Sequence, residues 1–297
     1  MAANYVWCTL VMCNDKYAIG AAVVAESLRG VETKYPIWCM VTNEVSKECK
    51  IWLEIYFDKI VEVPVIKQNV KNMKSKKQRL IYGSWINQSF TRWNALNPEL
   101  FPVDKIITLD ADMLFIENCD ILFELEPPAL TFSNPWASTY MKKGYGLMNP
   151  YGEMKHGSLV KHSAIRRGLK RSFVGLGCMA LLRPSKLIWE TMNTILNCKV
   201  YGHDGCASGF DEQIIAEVHM VLDMKIYHIH QQYNWYTGKN NWLKEGMTPK
   251  TYQWYVSKPW KQNREDWPDL DIWYMYIDTM STTDPEVKHW LEYARGE

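Results

Sequence analysis

The stretch KIITLDADMLFIEN, residues 105–118, joins an apolar run to a pair of carboxylates. The run KIITL predicts a buried strand, and Asp110 and Asp112 follow its carboxyl end, one residue apart. Side chains two residues apart on an extended chain point to the same side. Since two negative charges held this way repel each other, we expect a divalent cation, Mn²⁺ or Mg²⁺, between them. The alternative is a turn in which an aspartate caps the next segment.

The segments before this strand alternate between strand and helix patterns. Strands are predicted at YVWCTLVM (5–12), IWCMV (37–41) and KIVEV (59–63). Helices are predicted at KYAIGAAVVAESL (16–28), SKECKIWLEIYF (46–57) and SWINQSFTRWNAL (84–96). This order predicts an α/β fold with a mostly parallel sheet, in which ligands bind beyond the carboxyl ends of the strands. The two aspartates lie at such an end.

The composition is that of a globular protein and excludes several classes of function. A hydrophobic content of 47% with 23% charged residues argues against disorder, and a net charge of +1 argues against nucleic-acid binding. The N-terminus lacks a signal-peptide pattern, and no apolar run approaches the ~20 residues of a membrane span. The eight cysteines lack C-x-x-C spacing. We therefore expect a cytoplasmic protein with reduced thiols and no membrane span.

Several short motifs occur in a fixed order along the chain. They are NDKYAIGAAVVAESL (14–28), LDADMLFIEN (109–118), RPSKLIWETMN (183–193), GFDEQIIAE (209–217), YNW (233–235) and KPW (258–260). Each motif alone is weak, but their order and spacing over most of residues 4 to 260 resemble glycosyltransferase family 8. These are the retaining, nucleotide-sugar-dependent enzymes typified by glycogenin.

The resemblance implies a domain organisation. Residues 1–265 would form a single Rossmann-like nucleotide-binding domain of the GT-A type, and residues 266–297 a C-terminal extension packed on it or trailing it. A segment rich in Lys and Arg, residues 134–172, would be inserted near the acceptor side. It is interpreted either as a lid or anion-binding surface, or as a solvated cover.

The resemblance also implies a donor site. The uridine pocket would take Val11, Cys13, Asn14 and Tyr17, with Tyr17 against the uracil ring. Asn14 can instead simply cap a helix start. Arg92 stands where the family has a lysine that contacts the donor, and its planar fork suits phosphate; the alternative is a surface cation.

The remaining implied residues serve the diphosphate and the sugar. Asp110, Ala111 and Asp112 correspond to the family's D-x-D motif, whose two carboxylates hold the metal. Lys258 corresponds to the cation that stabilises the leaving diphosphate. Asp211 and Glu212 match an acidic residue and its neighbour on the sugar face, and Asp211 can also cap the following helix.

Three positions depart from the family pattern. Tyr252 stands where the family has a metal-binding histidine, Tyr255 stands at its glycine, and Leu176 replaces an asparagine that contacts the sugar. Either His228 or His230, which alternation places on one face of a strand, could complete the metal site. A local shift of the alignment, or a loss of catalysis, would also explain the departures.

The resemblance therefore predicts an enzyme of the EC 2.4.1 type. It would transfer a hexose, with glucose and galactose favoured, from a UDP-sugar to an unknown sugar, protein or small-molecule acceptor. The alternative is a weak or inactive nucleotide-sugar-binding or regulatory module with the same fold. The expected partners exclude nucleic acid and leave room for a homodimer.

Overall fold

The structure is a computed structural model that describes residues 4–70, 79–80, 83–132, 154–170, 176–198, 210–237, 248–254 and 258–296. These residues belong to two compact units. The first contains residues 1–4, 64–108 and 123–231, and the second contains residues 5–63, 109–122 and 232–297. Residues 134–153 of the basic segment lie outside the described residues. The expected domain ending at residue 265 stays a prediction.

The first four strands agree closely with the strands predicted from the apolar runs of the sequence. The strands are β1 Tyr5–Val11, β2 Ile37–Val41, β3 Lys59–Glu62, β4 Lys105–Leu109, β5 Met113–Phe115, β6 Ala129–Thr131, β7 Leu159–Val160, β8 Leu176–Leu182, β9 Ile226–His228, β10 Trp235–Tyr236 and β11 Thr251–Gln253. Within the described ranges, eight strands form one sheet in the order β3-β2-β1-β4-β8-β6-β9-β7, and β10-β11-β5 form a second, three-stranded sheet.

Most of the pairing in the larger sheet is parallel. Strand β2 pairs parallel to both β1 and β3, with Trp7 opposite Ile37 and Cys39 opposite Ile60. Strand β6 is parallel to β9 and antiparallel to β8. Parallel neighbours need crossover connections, which the helices after β1 and β2 supply. The predicted α/β class with a mostly parallel central sheet is confirmed.

The helices differ from the sequence predictions mainly at their ends. They are α1 Ala18–Gly30, α2 Lys47–Leu53, α3 His162–Lys170, α4 Lys186–Cys198, α5 Phe210–Val221, α6 Leu270–Thr283 and α7 Glu286–Arg295. A 3₁₀ turn, Asp15–Tyr17, precedes α1, and the segment Ile86–Leu96, predicted to be helical, is a 3₁₀ helix. Ser46 caps α2 by accepting a hydrogen bond from the Cys49 N–H, at 3.1 Å.

The core of the second unit surrounds α1, whose small residues are almost all buried. The C-terminal helices α6 and α7 pack against α1 in the same unit. Trp273 on α6 and Val287 on α7 are fully buried, so both helices contribute to this core. Within the part of the chain that the structure describes, none of the helices combines the length and apolarity needed to cross a bilayer.

Candidate functional site

The chain turns sharply between β1 and α1. Val11 ends β1 fully buried, and Cys13 adopts the left-handed backbone conformation, with φ of 68°. Asn14 then caps the 3₁₀ turn, because its Oδ1 accepts a hydrogen bond from the Lys16 N–H at 2.9 Å. The capping interpretation of Asn14 is confirmed, and its role in uridine binding stays a prediction. The turn sets Tyr17 at the start of α1, with its ring half-buried.

Two hydrogen bonds fix the Asp110–Asp112 turn after β4. The Thr9 hydroxyl on β1 donates to the Leu109 carbonyl at 3.1 Å. On the other side, the Trp254 N–H at the end of β11 donates to the Asp112 carbonyl at 3.1 Å. The backbone that carries the aspartates is therefore held from both sides within one compact unit.

A close approach of α1 packs the same turn from a third side. A Cβ atom on Gly20 would lie 2.4 Å from the Ala111 carbonyl oxygen and 2.3 Å from the Trp260 ring. Contacts this short do not occur for real Cβ atoms, so only glycine fits here. The glycine in the motif NDKYAIGAAVV thus has a steric explanation: it lets α1, the D-A-D turn and the KPW segment meet.

The two carboxylates have different surroundings. Asp112 is 3% exposed, and its Oδ2 accepts a short hydrogen bond from the Lys258 ammonium. Its Oδ1 is buried and has no hydrogen-bond partner among the described residues. Asp110 is half-buried, and its Oδ2 accepts from the Gln253 side-chain amide at 3.0 Å. The structure therefore brings together Asp110, Asp112 and Lys258, as the sequence predicted, and adds Gln253.

The electrostatics of this group reflect burial and mutual charge. Burial raises the pKa of Asp112, and the charge of Asp110 adds to this, while Lys258 opposes it. For Lys258, burial acts to lower the pKa, but the neighbouring Asp112 charge outweighs it and the net pKa is raised. Lys258 therefore stays cationic at neutral pH. Its Nζ lies 5.8 Å from the centroid of the Tyr17 ring, within cation–π range.

Two aromatic rings, those of Tyr17 and Trp260, meet close to the Lys258 ammonium. The Tyr17 ring meets Trp260 edge to face, with centroids 5.1 Å apart and planes at 77°. Burial raises the pKa of the Tyr17 hydroxyl, with Lys258 opposing, so the phenol stays protonated and can donate a hydrogen bond. An aromatic ring with a polar tip next to a fixed cation is suited to a flat polar base attached to phosphate.

The oxygen atoms of the two aspartates suit a divalent cation. Asp110 and Asp112 supply hard oxygen atoms, and the buried Oδ1 of Asp112 is an acceptor for which the described residues provide no donor. Within those same residues, no group of three His, Cys, Asp or Glu side chains could hold a metal ion.

Strand β11 decides which residue faces the aspartates. It pairs antiparallel with β5, placing Gln253 opposite Met113 and Tyr252 opposite Leu114. Successive side chains of a strand point to opposite faces, so Tyr252 points away from the face on which Gln253 meets Asp110. The Tyr252 ring instead lies near Trp254, with centroids 6.2 Å apart. Counting residues along the family motif singled out Tyr252 and missed Gln253, because only the pairing with β5 reveals the face.

A second group of predicted residues meets in the other unit. The Arg92 Nε lies 3.6 Å from the Asp211 carboxylate, and the Trp93 indole donates to the Asp211 carbonyl at 2.9 Å. Asp211 lies inside the first turn of α5, which begins at Phe210, so the capping role considered for it is wrong. Glu212 follows it in the same turn. Arg92 is thus an ion-pair partner rather than an isolated surface cation.

The histidines considered as metal ligands have other surroundings. The strand β9 ends at His228, so the prediction that His228 and His230 alternate along one strand is wrong. The His228 Nδ1 accepts from the Phe132 N–H at 3.1 Å, and burial, with His230 and His156, lowers the pKa of His228 to about 3. Both histidines belong to the first unit, whereas the aspartate pair belongs to the second.

Of the two other positions that depart from the family pattern, only one lies among the described residues. Leu176 begins strand β8. Tyr255, at the family's glycine position, lies outside the described residues. Whether Leu176 removes a contact to the donor sugar stays a prediction.

Some known proteins are similar to this chain in sequence, and others share its fold. No family model matches the chain. It is 32% identical over 188 residues to uncharacterized protein R707 of Acanthamoeba polyphaga mimivirus, covering 63% of this chain and 58% of that protein. It is 38% identical over 117 residues to glycogenin-1 of Caenorhabditis elegans, covering 39% of this chain and 26% of glycogenin. The chain thus spans less than two thirds of the length of either relative.

The fold comparison covers nearly the whole chain. A crystal structure of galactosyltransferase LgtC in complex with donor and acceptor sugar analogs superposes with a TM-score of 0.59, over 96% of this chain and 99% of that one, at 11% identity. Identity at this level establishes the fold alone. The sequence similarity to glycogenin and the shared fold together confirm the resemblance: part of the chain is similar in sequence to glycogenin-1, and its fold is that of the GT-A glycosyltransferases.

Proposed function

We propose that the chain is a retaining glycosyltransferase that moves a hexose, glucose or galactose, from a UDP-sugar to an acceptor, with Mn²⁺ or Mg²⁺ held by Asp110 and Asp112. One observation carries this proposal: a buried carboxylate, Asp112, contacts a cationic Lys258 through one oxygen and keeps its other oxygen without a hydrogen-bond partner among the described residues. The similarity to glycogenin and the fold shared with a galactosyltransferase support it. A cytoplasmic location and a homodimer stay predictions.

The proposed chemistry follows from where charge develops. Cleavage of the sugar–phosphate bond leaves negative charge on the diphosphate of UDP. The divalent cation, when bound, would supply a Lewis acid for that charge. Lys258 supplies a second positive charge, and its raised pKa keeps it protonated at neutral pH. The resemblance also implies that Arg92 would contact the donor, through a guanidinium fork of the kind that binds phosphate oxygens in pairs.

The β1–α1 turn is proposed to hold the nucleoside. Tyr17 would pack its half-buried ring against uracil, and the left-handed turn at Cys13 and the capping Asn14 fix where that ring starts. Val11, at the end of β1, and Ala111, just after β4, are both buried and would form the floor of the nucleoside pocket. This pocket needs rigid walls, because affinity is lost when side chains must be ordered on binding.

Asp211 and Glu212 are proposed to contact the donor sugar. The Asp211 carboxylate is buried and lies near Arg92, an arrangement that orients it for accepting sugar hydroxyl hydrogen bonds. Retention by attack from the same face lets a leaving phosphate oxygen receive the acceptor proton. No strong protein base is then required, which agrees with an acidic pair whose task is to position the sugar.

A binding or regulatory module is the second candidate. The observation that favours it is Tyr252, which replaces the histidine that the family pattern has at this position and points away from the aspartates. Such a module would bind UDP or a UDP-sugar without turnover. The two candidates differ in one measurable property, the release of UDP.

The test is incubation of the full chain with a panel of UDP-sugars and Mn²⁺, following UDP release and mass added to the protein. We expect release with at least one donor, and Asp112→Asn should lower it about 10²- to 10³-fold, as for one lost electrostatic contact in a transition state. The exposed Asp223 offers a matched control, Asp223→Asn, which should leave the rate unchanged. Binding of UDP without release by any donor would establish the module instead.

A further inference from the structure

Strand β11 presents Gln253 to the aspartate pair. Its side chain is 1% exposed, and its Nε2 donates to the Asp110 Oδ2 at 3.0 Å. The pairing of β11 with β5 determines that the Gln253 side chain faces the aspartates. Just beyond β11, the Trp254 N–H donates a hydrogen bond to the Asp112 carbonyl. Gln253 is therefore held beside the carboxylates by backbone pairing on two strands.

Two buried oxygen atoms at this place lack hydrogen-bond partners among the described residues. One is the Asp112 Oδ1 and the other is the Gln253 Oε1. Buried acceptors are nearly always satisfied, by protein donors, by ordered water or by an ion. The open Asp112 Oδ1 therefore indicates that something positive or donating completes it, whereas the open Gln253 Oε1 means that no hydrogen bond to that oxygen from the described residues holds the amide in its present orientation.

The spacing of the polar atoms suits a shared cation. The amide of a glutamine can turn end for end about its last torsion, which exchanges the positions of Nε2 and Oε1. After that turn, Oε1 would take the place of Nε2, 3.0 Å from the Asp110 oxygen. Two oxygen ligands at 2.0–2.1 Å from one octahedral ion, and at right angles, are also about 3.0 Å apart. No backbone movement is needed to reach this arrangement.

We propose that the Gln253 side-chain carbonyl is the third protein ligand of the divalent cation held by Asp110 and Asp112. This inference rests on the proposed function, since it concerns the same cation. It assigns to Gln253 the part that the family pattern gives to a histidine one residue earlier, at Tyr252. A consequence for selectivity follows: an all-oxygen set favours Mg²⁺ and Mn²⁺, whereas an imidazole would favour Zn²⁺.

The first test measures Mn²⁺ affinity in the presence of saturating UDP, by the electron paramagnetic resonance signal of unbound Mn²⁺. Gln253→Met conserves volume and removes the oxygen. It should raise the Mn²⁺ dissociation constant by about ten- to a hundredfold, a loss that even outer-shell groups of a metal site produce. The neighbour gives the matched control: Tyr252→Phe removes only a hydroxyl on the opposite face and should leave the constant unchanged.

The second test separates direct ligation from a role in which Gln253 only donates a hydrogen bond to Asp110. Gln253→His places an imidazole at the proposed ligand position, and Tyr252→His places it at the family's position. Direct ligation predicts that Gln253→His raises Zn²⁺ affinity relative to Mg²⁺ affinity, and that Tyr252→His does not. A Zn²⁺ to Mg²⁺ ratio that stays constant in Gln253→His would overturn the proposal.

The same titrations separate failure of this inference from failure of the proposed function. If Asp112→Asn weakens Mn²⁺ binding but Gln253→Met does not, the ligand assignment is wrong and the metal-dependent function stands. If the unmodified chain binds no Mn²⁺ with UDP, both are overturned. Thermal denaturation of each variant identifies any loss of affinity that comes from unfolding, and Gln253→His, which keeps a polar side chain, serves if Gln253→Met does not fold.

Discussion

Asp284 and Asp112 are both buried carboxylates in the same compact unit, but their oxygens are satisfied differently. The Asp284 Oδ2 accepts from the Trp52 indole at 2.7 Å and from the Tyr56 hydroxyl at 2.5 Å, and its Oδ1 accepts from the Glu286 N–H at 2.9 Å. The Asp112 Oδ2 accepts from an ammonium, and its Oδ1 has no donor among the described residues.

The difference separates a structural carboxylate from a functional one. Neutral groups donate hydrogen bonds to both Asp284 oxygens and so connect α2, and the chain that follows it, to the start of α7. Both Asp284 oxygens are therefore already used within the protein. Asp112 lies beside a second carboxylate, Asp110, and its Oδ1 accepts no hydrogen bond from the described residues. Without a ligand, this arrangement lowers the free energy of unfolding. Burial alone would not distinguish them, since Asp284 is 8% and Asp112 is 3% exposed.

The largest expected effect on stability is at Asp284. Asp284→Ala leaves the Trp52 and Tyr56 donors buried without their acceptor and should lower the free energy of unfolding by about 3–5 kcal/mol. Affinity for UDP at a temperature where the variant is folded should not change. Urea denaturation and calorimetric titration of UDP measure the two quantities. A loss of UDP affinity in the folded variant would break the distinction between the two carboxylates.

A smaller effect is expected at Gly20. A methyl group there would meet the Ala111 carbonyl and the buried Trp260 ring, neither of which can move aside, so Gly20→Ala should cost about 1–3 kcal/mol and also weaken UDP binding. The matched control lies in the same helix. At Gly30 a Cβ would meet only the Tyr276 side chain, whose hydroxyl, 2.7 Å away, is at its flexible end. Gly30→Ala should leave UDP affinity unchanged, and equal losses in both variants would contradict the packing argument.

The smallest effect on stability is expected at Asp112. Asp112→Asn removes a charge that burial and Asp110 disfavour, and the Lys258 side chain is 22% exposed, so its ammonium can rehydrate. The free energy of unfolding should therefore fall by less than in Asp284→Ala, because the asparagine still offers Lys258 an oxygen acceptor, while Mn²⁺-dependent UDP binding is lost. Denaturation in urea tests the first point and calorimetry with and without Mn²⁺ the second. A destabilisation as large as that of Asp284→Ala would make Asp112 structural.

Much of the fold was predictable because it depends on local patterns. The strands β2 and β4 have the predicted bounds, and β1 and β3 end one residue earlier than predicted. Helix ends were less predictable: the helix predicted to begin at residue 16 begins at Ala18, because Asn14 caps a 3₁₀ turn first. A capping side chain can serve either kind of turn, so the sequence left this open.

The sequence by itself determined the position of Asp110 and Asp112 at the carboxyl end of a buried strand, since alternation and apolar runs specify strands and their ends. Only the tertiary structure decided which side chains meet them. Lys258 and Gln253 come from 146 and 143 residues further along the chain than their partners. A one-residue change in strand register exchanges the two faces of β11, so counting along the motif selected Tyr252 where pairing with β5 selects Gln253. Contacts across such distances depend on register and packing, which no local pattern contains.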